Sequence, residues 1–175
     1  MINSNLSKDY AFCKCTSIKS ITLPASVTNF GNSAFFECDT LTNVYITDLA
    51  AWATMKTHPM MGNGDMKLFL TKVLIQDLVV PQGVTSIGYS AFACCNSIRS
   101  VTLPDSLKEI GSGAFVGCTG LQSIDIPDSV TMIEENVFTR CTNLRSVKLP
   151  NGLTHIWHPR LHRRCADDPL LAGDL

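Results

Sequence analysis

Between Ile98 and Val147, apolar and polar side chains follow one order twice and begin it a third time, at a step of 23 residues. Each pass opens with strict alternation. In Ile98-Arg99-Ser100-Val101-Thr102-Leu103, Val101 and Leu103 share one face while Ser100 and Thr102 share the other, which predicts a strand buried on one side. Pro104 ends it, because proline has no N–H for a ladder and a φ already set for a turn. The chain then returns through Leu107, Ile110 and Gly111, whose glycine permits a tight or left-handed backbone, and reaches Ala114, Phe115 and Cys118, spaced like one short helical turn. In register, Pro81, Pro104, Pro127 and Pro150 fall 23 apart, as do Phe92, Phe115 and Phe138, and Cys95, Cys118 and Cys141. One pass cannot bury so mixed an apolar set by itself, so the period predicts stacked coils, a solenoid.

Upstream the same order is legible but interrupted. Residues 1-10 carry no periodic pattern, Ala11-Phe12 with Cys15 and Ile18 supply the last part of a coil, and strands are expected at Ile18 to Leu23 and Leu41 to Ile46. From Phe35 to Phe92 the distance is 57 rather than 46, so one coil is 34 residues long, with an irregular insertion around residues 47-77. Thr47 or Asp48 is a helix cap for Leu49 to Met55, and Leu68-Phe69-Leu70 and Val73-Leu74-Ile75 predict two short strands around Thr71-Lys72, the second running on to Leu78-Val80. Trp52 is expected to fill the space of the missing repeat phenylalanine; its other reading, with His58, Met60 and Met61, is as an interface side chain. After Ile156 the repeat stops, and residues 157-175 form a non-repeat tail.

The wording LPDSLKEIGSGAFVGCTGLQSI and IPDSVTMIEENVFTRCTNLRSV resembles that of BspA-type leucine-rich repeats, over residues 11-156. The segments DLAAWATM and LFLTKVLIQDLVVPQGVTSIG are similar to an irregular stretch found within bacterial members, where an Asn-Gly turn stands in place of Thr71-Lys72. The resemblance implies an α/β leucine-rich-repeat solenoid of about six coils with a parallel sheet on its concave side. It also implies a setting on microbial surfaces or in secreted proteins, with adhesion and protein binding as the role.

Composition narrows the partners. Fourteen basic and fifteen acidic residues leave a net charge of -1, which gives no field for nucleic acid or an anionic membrane. No apolar run reaches the length of a membrane span, and MINSNLSKDY is not a signal segment, so no membrane insertion is expected. Of the eight cysteines, Cys15, Cys38, Cys95, Cys118 and Cys141 fill one repeat slot and are expected to pack inward as small apolar groups. Cys13 and Cys94 sit beside that ladder, facing outward as candidate exposed thiols, and Cys165 lies in the tail. His155, His158, His162 and Cys165 match no metal-finger spacing. No catalytic signature is present, so neither an enzyme nor a cofactor is expected.

What remains is recognition. The outward columns of the sheet are Ser20, Asn43, Ser100, Ser123 and Ser146 beside Thr22, Tyr45, Val79, Thr102, Asp125 and Lys148. The candidate binding residues are Tyr45, Arg99, Thr102, Asp125, Arg145 and Lys148 on this face, with Trp52 in the insertion. The expected partner is a protein, such as a host extracellular or cell-surface protein, and an uncapped solenoid end offers a route to self-association. A structural spacer without a ligand, or an intracellular interaction scaffold, are the competing readings.

Overall fold

The computed structural model describes residues 9–31, 33–56, 65–153 and the strand His155–Ile156. The expectations placed on residues 1–8, on His58, Met60 and Met61, and on Trp157 and the tail beyond it lie outside the described residues, as does the side chain of His155.

In chain order the elements are β1 (Ser20–Leu23), β2 (Asn43–Ile46), α1 (Leu49–Ala53), β3 (Lys67–Leu70), β4 (Val73–Leu74), β5 (Asp77–Val79), β6 (Ser86–Ile87), β7 (Ser100–Thr102), β8 (Glu109–Ile110), β9 (Ser123–Asp125), β10 (Met132–Ile133), β11 (Ser146–Lys148) and β12 (His155–Ile156). They form a β-solenoid of about five turns. The strands that follow each Cys-x-x-Leu or Cys-x-x-Ile, with β3, β4 and β5 of the insertion, build the main sheet face from three hydrogen-bonded groups, β1-β2-β3-β4, β5-β7 and β9-β11. There β1, β2 and β3 pair in parallel with Thr22, Tyr45 and Phe69 in one row, β5 pairs with β7, and β9 pairs with β11. The alternation works as the sequence implies: Val44 and Leu68 are fully buried while their outward neighbours reach solvent.

Beyond Pro81, Pro104, Pro127 and Pro150 the return run is itself a strand, which the sequence reading did not assign. Ser86, Glu109, Met132 and His155 stand in one row of a second parallel sheet, in the order β12-β10-β8-β6. Two-residue strands are too short to show period two in a sequence, so only stacking reveals them. Gly111 serves a close approach rather than a left-handed backbone: a Cβ there would sit 2.8 Å from the Ile87 carbonyl oxygen. In the same coil the left-handed glycines are Gly113 and Gly117, with φ of 64° and 71°.

These two residues also explain why the Ala114 to Cys118 stretch is not the expected helical turn. Alternate amides point along the solenoid axis. Phe92 N–H donates to the Ala114 carbonyl (2.8 Å) and Cys94 N–H to Val116 (2.7 Å), while Phe115 and Gly117 donate onward to Val137 (3.1 Å) and Thr139 (2.8 Å). The intervening amides close three-residue turns, Val116 N–H on Gly113 and Cys118 N–H on Phe115. The regular coils are thereby stitched along a third line, residues 12–14 to 34–36, 90–94 to 112–116 and 113–117 to 135–139, with the line interrupted at the insertion.

Apolar side chains of all coils merge into one core. Phe92 and Phe115 stack at 5.4 Å, Phe115 and Phe138 at 5.9 Å, and Phe12 and Phe35 at 5.0 Å. The cysteine ladder lies beside them. Cys38, Cys118 and Cys141 donate their thiols to the carbonyls of Phe12 (2.9 Å), Phe92 (3.0 Å) and Phe115 (3.1 Å) in the preceding coil. Burial pushes the Cys38, Cys95, Cys118 and Cys141 thiols above their ordinary pKa. The slot therefore holds neutral thiols that pack and hydrogen-bond.

Candidate functional site

The insertion is where the outward face acquires its aromatic character. Asp48 caps α1, its carboxylate accepting from Ala51 N–H (3.0 Å), and the short helix buries Leu49, Trp52 and Ala53. Trp52 is 2 % exposed, and its indole N–H donates to the Ala91 carbonyl (2.9 Å), next to Phe92 of the following coil. Of its two readings the structure selects the core one. The candidate role of Trp52 as a contact for a partner is corrected accordingly: the indole is consumed in packing one coil on the next.

Past the helix the chain returns to the main sheet as β3, adding a strand beside β2 at an offset of 24 residues, Asn43↔Lys67 to Ile46↔Leu70. It folds back through Thr71-Lys72 into β4, which pairs antiparallel with Phe69 opposite Leu74. Phe69 thus joins the outward column beside Tyr45, and the two rings stack at 4.6 Å with 24° between their planes. Both are half-buried, and Val79 on β5, in the same column of side chains, is 60 % exposed. The sequence reading named Tyr45 but missed Phe69, since the 23-residue comb skips the insertion. The signal was present in Leu68-Phe69-Leu70, whose alternation sends Phe69 to the face opposite two core leucines.

The other half of the face is polar. Thr102, Asp125 and Lys148 line a groove of about 770 Å³ together with Asp105, Asp128 and Ser129. Asp125 and Lys148 are directly opposed on β9 and β11, behind Ser123 and Ser146. Asp77 at the head of β5 accepts from the Ser100 hydroxyl (2.6 Å). Arg99 and Arg145 stand exposed just ahead of β7 and β11, on one rim of the sheet, with Lys19 in the same column. The structure so gathers Thr102, Asp125 and Lys148 at one groove, sets Arg99 and Arg145 along its rim, and places Tyr45 with Phe69 on β2 and β3.

Away from this face little chemistry gathers. Among the described residues no group of three or more His, Cys, Asp or Glu is arranged to hold a metal ion, and no helix is long and apolar enough to cross a membrane. On the return sheet, burial and then the neighbouring Glu134 carboxylate raise the Glu109 pKa above the usual carboxylate range, while Glu134 accepts from Ser112 N–H (2.7 Å). Cys13 and Cys94 are half-buried free thiols rather than open ones.

Parallel strands, return strands and stacked phenylalanines at a 23-residue step define a leucine-rich-repeat solenoid. The sequence model of the BspA type leucine rich repeat region matches residues 3–54 and 65–159 in six copies. The chain belongs to that family. Among solved structures it is similar to a leucine-rich repeat protein from Bacteroides ovatus, at 27 % identity and a TM-score of 0.50 over 85 % of this chain and 42 % of the other. A leucine-rich repeat protein of T. pallidum shares 30 % identity at a TM-score of 0.46, over 82 % of this chain and 62 % of the other. A leucine rich cell surface protein from Faecalibacterium prausnitzii shares 27 % identity at a TM-score of 0.45, over 79 % and 41 %. The chain therefore spans about two-fifths to three-fifths of the length of these relatives. No curated protein matches it.

Proposed function

We propose that this chain is a protein-binding repeat module that engages its partner through the outward face of the main sheet, within a microbial surface or secreted protein whose role is adhesion. The Tyr45–Phe69 pair carries the reading. A solvated sheet face is kept polar by Ser20, Asn43, Ser100, Ser123 and Ser146, and stacked aromatics there hold apolar area in a rigid form that costs little entropy to bury on a partner. Arg99 and Arg145 on the rim add side chains that form charge-assisted hydrogen bonds at interfaces. Repeat proteins of this type generally serve as interaction modules, and a continuous sheet face is the surface such folds present. The partner class is an extracellular-matrix or cell-surface protein of a host or neighbouring cell.

The test is surface plasmon resonance of the immobilised chain against a panel of such proteins. Saturable binding that falls about tenfold to a hundredfold with Tyr45→Ala or Phe69→Ala, in variants with an unchanged melting temperature, is the expected result. Binding by none of the panel would favour a spacer role, and binding indifferent to both substitutions would move the site off this face.

A further inference from the structure

We infer that the outward face of the main sheet receives a second copy of this chain, with the strands of the two copies antiparallel and each coil opposite itself. Charge on this face is sorted by strand direction. Ahead of the strands, one rim carries the exposed Lys19, Arg99 and Arg145, and its other positions, Thr42, Met66, Gln76 and Gln122, are neutral. Beyond the strands, the opposite rim carries the exposed Asp48, Asp105 and Asp128, with Ala25, Gln82 and Asn151 neutral. Two exceptions lie at the insertion, one per rim: Asp65 ahead of β3 and Lys72 in the β3–β4 turn. Between the rims the signs balance, Lys67 with Asp77 in one column and Asp125 with Lys148 in the next. Among the described residues none of Arg99, Arg145, Asp105 and Asp125 is in an ion pair.

A twofold axis can lay this face on itself in two ways, and the rims choose between them. An axis parallel to the strands brings like rims together, arginine against arginine, which repels. An axis along the direction of coil stacking reverses the strands, so that each rim meets its opposite. Arg99 of each copy then faces Asp105 of the other, and Asp65 faces Lys72, since the insertion inverts both signs in one coil. Every such contact is made twice, as a twofold interface requires. The column between the rims meets its own counterpart. It holds the Tyr45–Phe69 stack, half-buried Leu74 opposite Phe69 on β4, and Val79 at 60 % exposure, an apolar strip that its own copy covers. Asp125, brought toward itself, has Lys148 one strand away.

The area suffices. β7 lies against β9 as closely as β9 against β11, so the polar half of the face is continuous. With strands about 4.8 Å apart and about 3.3 Å per residue, the face spans about 34 Å by 20 Å, on the order of 700 Å², near the ~800 Å² that each partner of a standard interface buries. The second copy uses the face assigned above to a protein partner. The inference goes beyond that reading, and the two occupants exclude each other.

The test is sedimentation velocity of the full chain from about 1 µM to about 100 µM, at low salt and at about 0.5 M salt. A reversible monomer–dimer equilibrium is expected, weakened about tenfold at the higher salt. Arg99→Asp and Asp105→Arg should each weaken the dimer about tenfold or more, as should Tyr45→Ala, in variants whose melting temperatures are unchanged. The double variant Arg99→Asp with Asp105→Arg exchanges the signs in both copies and should regain the original affinity to within about threefold. A chain that stays monomeric throughout, a dimer indifferent to the single reversals, or losses that add in the double variant would overturn the inference. A monomeric chain that still binds an extracellular protein through Tyr45 and Phe69 would remove the second copy and leave the protein-binding reading standing. A dimer that obeys the charge exchange while no panel protein binds would do the reverse.

Discussion

Tyr10, Ser33, Ser90, Gly113 and Asn136 occupy one position of the repeat, and Lys14, Glu37, Cys94, Gly117 and Arg140 another; all ten have positive φ, between 52° and 71°. One coil meets this demand with two glycines, and the others place side chains in a conformation that costs L-residues roughly 1 kcal/mol. Arg140→Gly is therefore expected to stabilise the fold by about 1 kcal/mol in chemical denaturation, less the small unfolded-state entropy that glycine adds. This demand was not legible in the sequence, because Ser, Lys and Arg give no sign of a left-handed backbone; only the Gly113 and Gly117 coil hinted at it, and Gly111, the more conspicuous glycine, serves a different purpose. Titration of Glu109 is a second effect at this scale. Its raised pKa means that the folded state favours the protonated carboxyl, so the associated stability is complete below the ordinary carboxylate pKa and is lost as pH rises through the raised value. Glu109→Gln should raise stability by about 0.5 kcal/mol at pH 7 and leave it unchanged at pH 4, as read from denaturation midpoints at the two values.

At the scale of elements the insertion is the informative piece. Thr71 and Lys72 have φ of 48° and 76°, so the β3–β4 connection has positive φ at both central residues, as a type I′ turn requires, but it is made from a β-branched and a long side chain in place of Asn-Gly. Replacing the pair by Asn-Gly should stabilise the protein by about 1–2 kcal/mol, measured as a shift in the denaturation midpoint. A hairpin was visible in the alternation of Leu68-Phe69-Leu70 and Val73-Leu74-Ile75, as was the helix in Asp48 and the residues after it. Its consequence was not visible. Which strand β3 lies against is decided by a pairing with β2 over 24 residues that breaks the 23-residue period, and that pairing alone brings Phe69 to Tyr45. Trp52 shows the complementary case: its residue type suits core and interface equally, and only the bond to Ala91 in the next coil decides between them.

For the whole molecule, three lines of inter-coil bonds (main sheet, return sheet and turn ladder) join coils whose cores cannot close alone. Such a solenoid presents its main sheet as one long surface, and that surface divides into an aromatic part on β2 and β3 and a polar, grooved part on β7, β9 and β11. The coarse fold and the polar columns were set out by the period of 23. The division of the face was not, since it depends on the inserted strand β3. The account's central claim is that a protein partner is taken up on this face. Hydrogen–deuterium exchange of the chain with and without a partner captured from the extracellular panel tests it most directly. Protection confined to residues 43–46, 67–70 and the strands that follow in the main sheet is the predicted result; protection along the turn ladder, at residues 112–118 and 135–141, with the main sheet unchanged, would contradict it.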